Sequence, residues 1–161
     1  MDDESTINAA ERLYGLLARS FVRYVIEESK PLVLTEWDRR VFAALSTWNA
    51  DNDAALVRIE ALLQAERIHA SVPLWNLEFS QYHMVAPVRL LQPLLQKMEA
   101  TLSRLRDLVP QLGLWTQLKA VAEESRLRQD AHLANVRRLE SQRPKDPPKP
   151  GVKKGVSANF W

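Results

Sequence analysis

The chain contains no cysteine. That excludes disulfides, thiolate metal sites and thiol catalysis together. Glycine is nearly absent too, with 4 in 161 residues, which leaves little turn material for a many-stranded sheet. No apolar run approaches the ~18 residues that a membrane span needs. The opening MDDESTINAAERLYG is acidic, whereas a secretory leader begins basic and then turns apolar. These features point to a cytoplasmic protein without a membrane segment. Only three histidines are present, at 69, 83 and 132. No glycine-rich phosphate loop and no nucleophile elbow occurs, so no enzyme signature is found.

Apolar residues make up 46% and charged residues 26%, which is ordinary for a globular domain of this length. The net charge of +2 hides an asymmetry. Residues 142–161 hold five basic side chains against Asp146, so the first 141 residues carry 17 basic and 19 acidic ones. A folded nucleic-acid-binding domain has its own basic face. This body is mixed in sign throughout, and nucleic acid is not the expected partner.

Hydrophobic periodicity predicts four helices over residues 1–141. The first spans 5–29, with Ser5 or Thr6 as its cap and a stripe of Ile7, Ala10, Tyr14, Leu17, Phe21 and Tyr24. It stops before Pro31. Thr35 caps the second, whose stripe runs Trp37, Val41, Leu45, Trp48, Asn52, Leu56, Ile59 and Leu63. WNADNDAAL is poor helix material, yet the apolar phase is kept across it, which argues for one continuous helix. The third is predicted from Leu77 to Val109, with Pro87 and Pro93 kinking it and Pro110 stopping it. The fourth runs from Leu114 to Glu140. Short links make these most simply an all-α, antiparallel up-down-up-down four-helix bundle.

Asn52, His83, Ser125, Gln129 and His132 fall on otherwise apolar stripes. Buried polar groups must find partners, and the simplest expectation is that these bond one another and fix helix register. The sharper alternative is a metal site around His83 and His132, with Glu11, Tyr14 or Glu60 near it. Counted from the turn at 111, however, the two histidines sit about seven residues apart in level, near 10 Å at ~1.5 Å per residue. Glu66-Arg-Ile-His69 is the one Glu-x-x-His pair, the spacing that puts two ligands on one helical face. Trp37 and Trp48 lie on the stripe and are expected in the core. Trp75 and Trp115 lie at the bundle ends, where they either close the core or meet a partner.

The stretch PLWNLEFSQYHMVAPVRLLQPLL, the four-helix plan and a histidine late in the last helix resemble the ferritin-like superfamily. The resemblance covers residues 5–140. It implies two bound metals, iron or manganese, an oxidoreductase or storage role, and assembly as dimers or shells. Glu66 and His69 match its ligand motif in one helix where the family uses two; His83 and His132 are the further candidates.

Residues 142–161 read differently. RPKDPPKP is an extended, proline-rich spacer. GVKKGVSANFW then offers Val152, Lys153, Lys154, Val156, Phe160 and Trp161 as a docking element for a protein partner or a neighbouring subunit. The expectation is therefore a non-enzymatic assembly protein and a homo-oligomer. The alternative is a ferritin-like metal protein packaged as the cargo of a protein shell through this peptide.

Overall fold

A computed structural model describes residues 4–145. The docking element Val152–Trp161 and most of the proline-rich spacer therefore lie outside the described residues. Among these the architecture is all-α, with helices α1 (Glu4–Ala18), α2 (Phe21–Glu27), α3 (Glu36–Ala65), α4 (Pro87–Gln111) and α5 (Thr116–Ser141), and a short 3-10 helix at Leu77–Tyr82. No helix among the described residues is long and apolar enough to cross a membrane.

The expected first helix is two. Helix α1 is already formed at Glu4, so Ser5 and Thr6 lie within its first turn instead of capping it. The chain leaves the helix at Arg19 and Ser20, where Ser20 takes extended angles (φ −66, ψ 153) and starts α2. Helix α3 is continuous across residues 49–53, as its apolar phase required. Thr35 caps it reciprocally: its hydroxyl accepts from the Asp38 N–H while Asp38 accepts from the Thr35 N–H. Such a cap is worth about 1 kcal/mol.

The third helix begins a full ten residues later than expected. Leu77–Tyr82 forms a 3-10 turn, Met84 adopts a left-handed φ of 54, and α4 opens only at Pro87. Proline at the first helical position loses no hydrogen bond, so Pro87 starts the helix where a kink was expected. Pro93 does sit inside it, and Pro110 lies in its last turn without ending it. The stop comes at Leu112 and at Gly113, whose φ of +56 favours glycine.

Cross-helix bonds give the chain direction and correct the up-down-up-down expectation. Trp37 at the start of α3 donates to the Leu139 carbonyl at the end of α5, and Arg58 pairs with Glu124, so α3 and α5 are antiparallel. Gln92–Glu140 and Arg106–Asp130 make α4 and α5 antiparallel as well. Helices α3 and α4 therefore run in the same direction, and the order is up-down-down-up. The reason is the segment 66–86, which is not a short link but a crossover. It returns along α1 and α2: Pro73 packs against Gly15, Trp75 on Tyr24 and Phe79 on Phe21, and the Met84 N–H reaches the Ser29 carbonyl. Extended residues advance about 3.3 Å each, so this segment can retrace the ~45 Å of α3.

Two apolar clusters fill the interior. One gathers Phe21, Val25, Trp37, Leu45, Trp48, Leu91, Leu94 and Val136; the other gathers Leu13, Leu17, Ile59, Leu63, Leu105, Leu112, Trp115 and Leu118. Trp37, Trp48 and Trp115 are all core, while Trp75 is half-buried over Tyr24. Between the clusters, at the level of the α1–α2 break, lies a layer of buried polar side chains.

Candidate functional site

The polar layer is built from α3, α5 and Ser20. The Trp48 indole N–H donates to Gln129 Oε1 at 2.6 Å. The Gln129 amide N–H in turn donates to Asn52 Oδ1, and Asn52 donates to the Ser20 hydroxyl at 3.4 Å. An indole can only donate, so Trp48 dictates the orientation of both amides in turn. All four side chains are almost wholly buried. Asn49, one turn earlier on α3, is buried with its Oδ1 carbonyl unpartnered among the described residues.

The layer continues outward to the surface. The His132 ring stacks on Trp48 with 5.5 Å between centroids and 11° between planes. Its Nε2 lies 2.6 Å from Asp51 Oδ2. An ionised carboxylate only accepts, so that nitrogen carries the proton. Asp51 also takes Arg128, which bridges to Glu124, which takes Arg58 at 2.6 Å. The Arg58 hydrogen bond and charge, helped by Arg128 and opposed by partial desolvation, lower the Glu124 carboxyl below its ordinary 4.5. Apart from this His–Asp pair, no hydroxyl of the described residues is hydrogen-bonded to the His132 ring.

The candidate ligands are scattered. Glu66 is exposed at the C-cap of α3, and Arg67 turns left-handed (φ 59) between it and His69, so the pair does not share a helical face. His69 is exposed and lines a small cavity of about 90 Å³ with Tyr14 and Glu60. His83 is exposed at the end of the 3-10 turn, not on the α4 stripe. His132 is half-buried against Asp51. Among the described residues no three His, Asp or Glu side chains come together to hold a metal ion. A di-metal centre asks for four carboxylates and two histidines pointing into the bundle. The described residues do not fit an iron or manganese pair.

A second feature lies on the surface. A trough of about 1090 Å³ is bounded by α1, α4 and the crossover. Helix α1 contributes Asn8, Arg12 and Gly15, with Arg19 in the turn just past its end, and α4 contributes Lys97, Thr101, Arg104 and Leu108. Both sets step by four, three and four, which is one face of each helix. At the end nearer α2, Phe21 and Phe79 meet edge to face, and the Lys97 ammonium stands 5.7 and 5.4 Å from their centroids. Arg19 lies 4.3 Å over the Trp75 ring and donates to the Pro73 carbonyl, pinning the crossover to α1. The cations Arg12, Arg19, Lys97 and Arg104 outnumber the acids Glu11 and Glu78 in the lining. Sequence reasoning missed this site because it depends on the crossover. The available signal was the matched seven-residue spacing of the basic pairs Arg12/Arg19 and Lys97/Arg104 on the first and third predicted helices.

No family model, curated protein or solved structure matches this chain.

Proposed function

We propose that this chain is a non-enzymatic assembly protein, a helical platform that acts by receiving other protein surfaces. One observation carries the reading: the crossover holds Leu74 and Leu77 in water, 93% and 89% exposed, with Val72 beside them at 45%. Single exposed leucines are ordinary, but three large apolar side chains within six residues, next to a trough, are the signature of an interaction surface. The tail element Val152, Lys153, Lys154, Val156, Phe160 and Trp161 supplies a second contact, on a partner or a neighbouring subunit. The test compares the full chain with a chain lacking residues 142–161, by light scattering after gel filtration and by cross-linking. The full chain is expected to be a homo-oligomer and the shortened one to have fewer subunits. An identical number of subunits would remove the tail from the proposal.

A ferritin-like metal protein, carrying iron or manganese and packaged as shell cargo, is the second reading. One long crossover in a four-helix arrangement is the connectivity of ferritin-like folds, and that course favours it. Likeness of fold supplies no chemistry by itself. About two iron or manganese ions per purified chain would overturn the platform reading in its favour.

A further inference from the structure

We propose that the trough between α1, α4 and the crossover is the docking site of an acidic amphipathic helix from a partner protein. The proposal rests on the platform reading above and names the partner that reading leaves open.

Shape selects a helix. The lining reaches from Asn8 to Leu16 along α1, about 12 Å, and from Lys97 to Leu108 along α4, about 16 Å or three turns, at ~1.5 Å per residue. Two of the three walls, α1 and α4, are helices whose backbone groups are already paired, so they offer a ligand side chains alone. A proline-rich ligand needs open aromatic slots, but Phe21 and Phe79 are covered by Lys97. A helix lying in the trough would meet the half-buried Leu16 and the exposed Leu74 of its lining. These suit the i, i+3/i+4, i+7 anchors of helix-in-groove recognition.

Charge selects acidic flanks. Lys97 is engaged by Glu78 at 3.5 Å and Arg19 by Trp75 and Pro73. Arg104 has no hydrogen-bond or ion-pair partner among the described residues, and Arg12 has one long bond of 3.4 Å to Gln111. Two exposed guanidiniums on facing walls, with apolar side chains near them, complement glutamates flanking a leucine stripe.

The test uses the full chain and two fluorescein-labelled 15-residue helical peptides. Both carry leucines at i, i+3, i+4, i+7 and i+11; one has glutamates at the flanking positions and the other lysines. Fluorescence anisotropy should show the glutamate peptide binding one per chain, at least ~10-fold tighter than the lysine peptide, and weakening with salt. The double variant Arg12→Glu and Arg104→Glu, with unchanged far-UV circular dichroism, should reverse the preference. Leu74→Ser should weaken the glutamate peptide severalfold without changing the charge preference. Binding of neither peptide, equal binding of both, or a preference that survives the charge reversal would overturn the proposal. Deleting residues 142–161 should leave peptide binding unchanged. Loss of self-association in that deletion with peptide binding intact supports both proposals, and each can fail without the other.

Discussion

Replacing Gln129 with methionine keeps the volume of the side chain and removes both of its hydrogen bonds. The Trp48 N–H and the Asn52 carbonyl oxygen are then left unpaired, and both residues are 1% exposed. Each orphaned buried group costs roughly 1–3 kcal/mol, so the single change should cost about 3 kcal/mol. Asn52→Leu orphans the Gln129 amide N–H and gives up a long contact to Ser20, for about 2 kcal/mol. In the double variant neither Asn52 nor Gln129 remains to be orphaned, and the Trp48 N–H is the main unpaired group. Its cost should be about 2 kcal/mol, well below the sum of about 5, giving a coupling of about 3 kcal/mol. Urea unfolding followed by circular dichroism, with linear extrapolation, measures all four corners of the cycle. In a domain of this size each kcal/mol also moves the melting temperature by about 2–4 °C. Additivity within ~0.5 kcal/mol would refute the relay, because it would mean the two amides are satisfied independently.

Two further outcomes follow from local geometry. Glu124 has its folded-state carboxyl lowered by Arg58 and Arg128, so its pairing contributes stability above its unfolded value and loses it as pH falls through the folded one. The melting-temperature gap between the natural chain and Glu124→Gln should therefore be present at neutral pH and close on the acid side of 4.5; a gap that widens in acid contradicts the assignment. Gly113→Ala would place a methyl 3.2 Å from the Thr6 hydroxyl oxygen at a φ of +56, and should cost about 1 kcal/mol or more in thermal unfolding. An unchanged melting temperature would show that the α4–α5 turn relaxes freely.

Much of the fold was legible. The 3.6-residue period located α3 and α5 nearly to their ends, and placed Trp37 and Trp48 in the core, because burial on one face is the force that arranges such stripes. It also put Asn52 and Gln129 on that face, and the expectation that buried amides bond one another holds for this pair. WNADND contradicts helix propensity for a reason now visible: Asp51 takes His132 and Arg128, Asn52 takes Gln129, and Asp53 takes Arg23. Tertiary bonding outweighs the few tenths of a kcal/mol that each residue costs in local preference. The same reasoning failed for His83, since periodicity continued a helix backwards through residues that close instead into a 3-10 turn.

By itself, then, the sequence determined that the chain is helical, which faces are apolar, and that amides occupy the middle of α3 and α5. Those are consequences of local spacing. Tertiary structure alone decided that residues 66–86 cross back along the molecule and make α3 and α4 parallel. It also decided that α1 breaks at the level of the polar layer, and that Arg12 and Arg104 face one trough. These features depend on contacts between residues far apart in the chain, such as Arg19 with Pro73 and Trp75, and no local pattern encodes which distant residue will supply the partner.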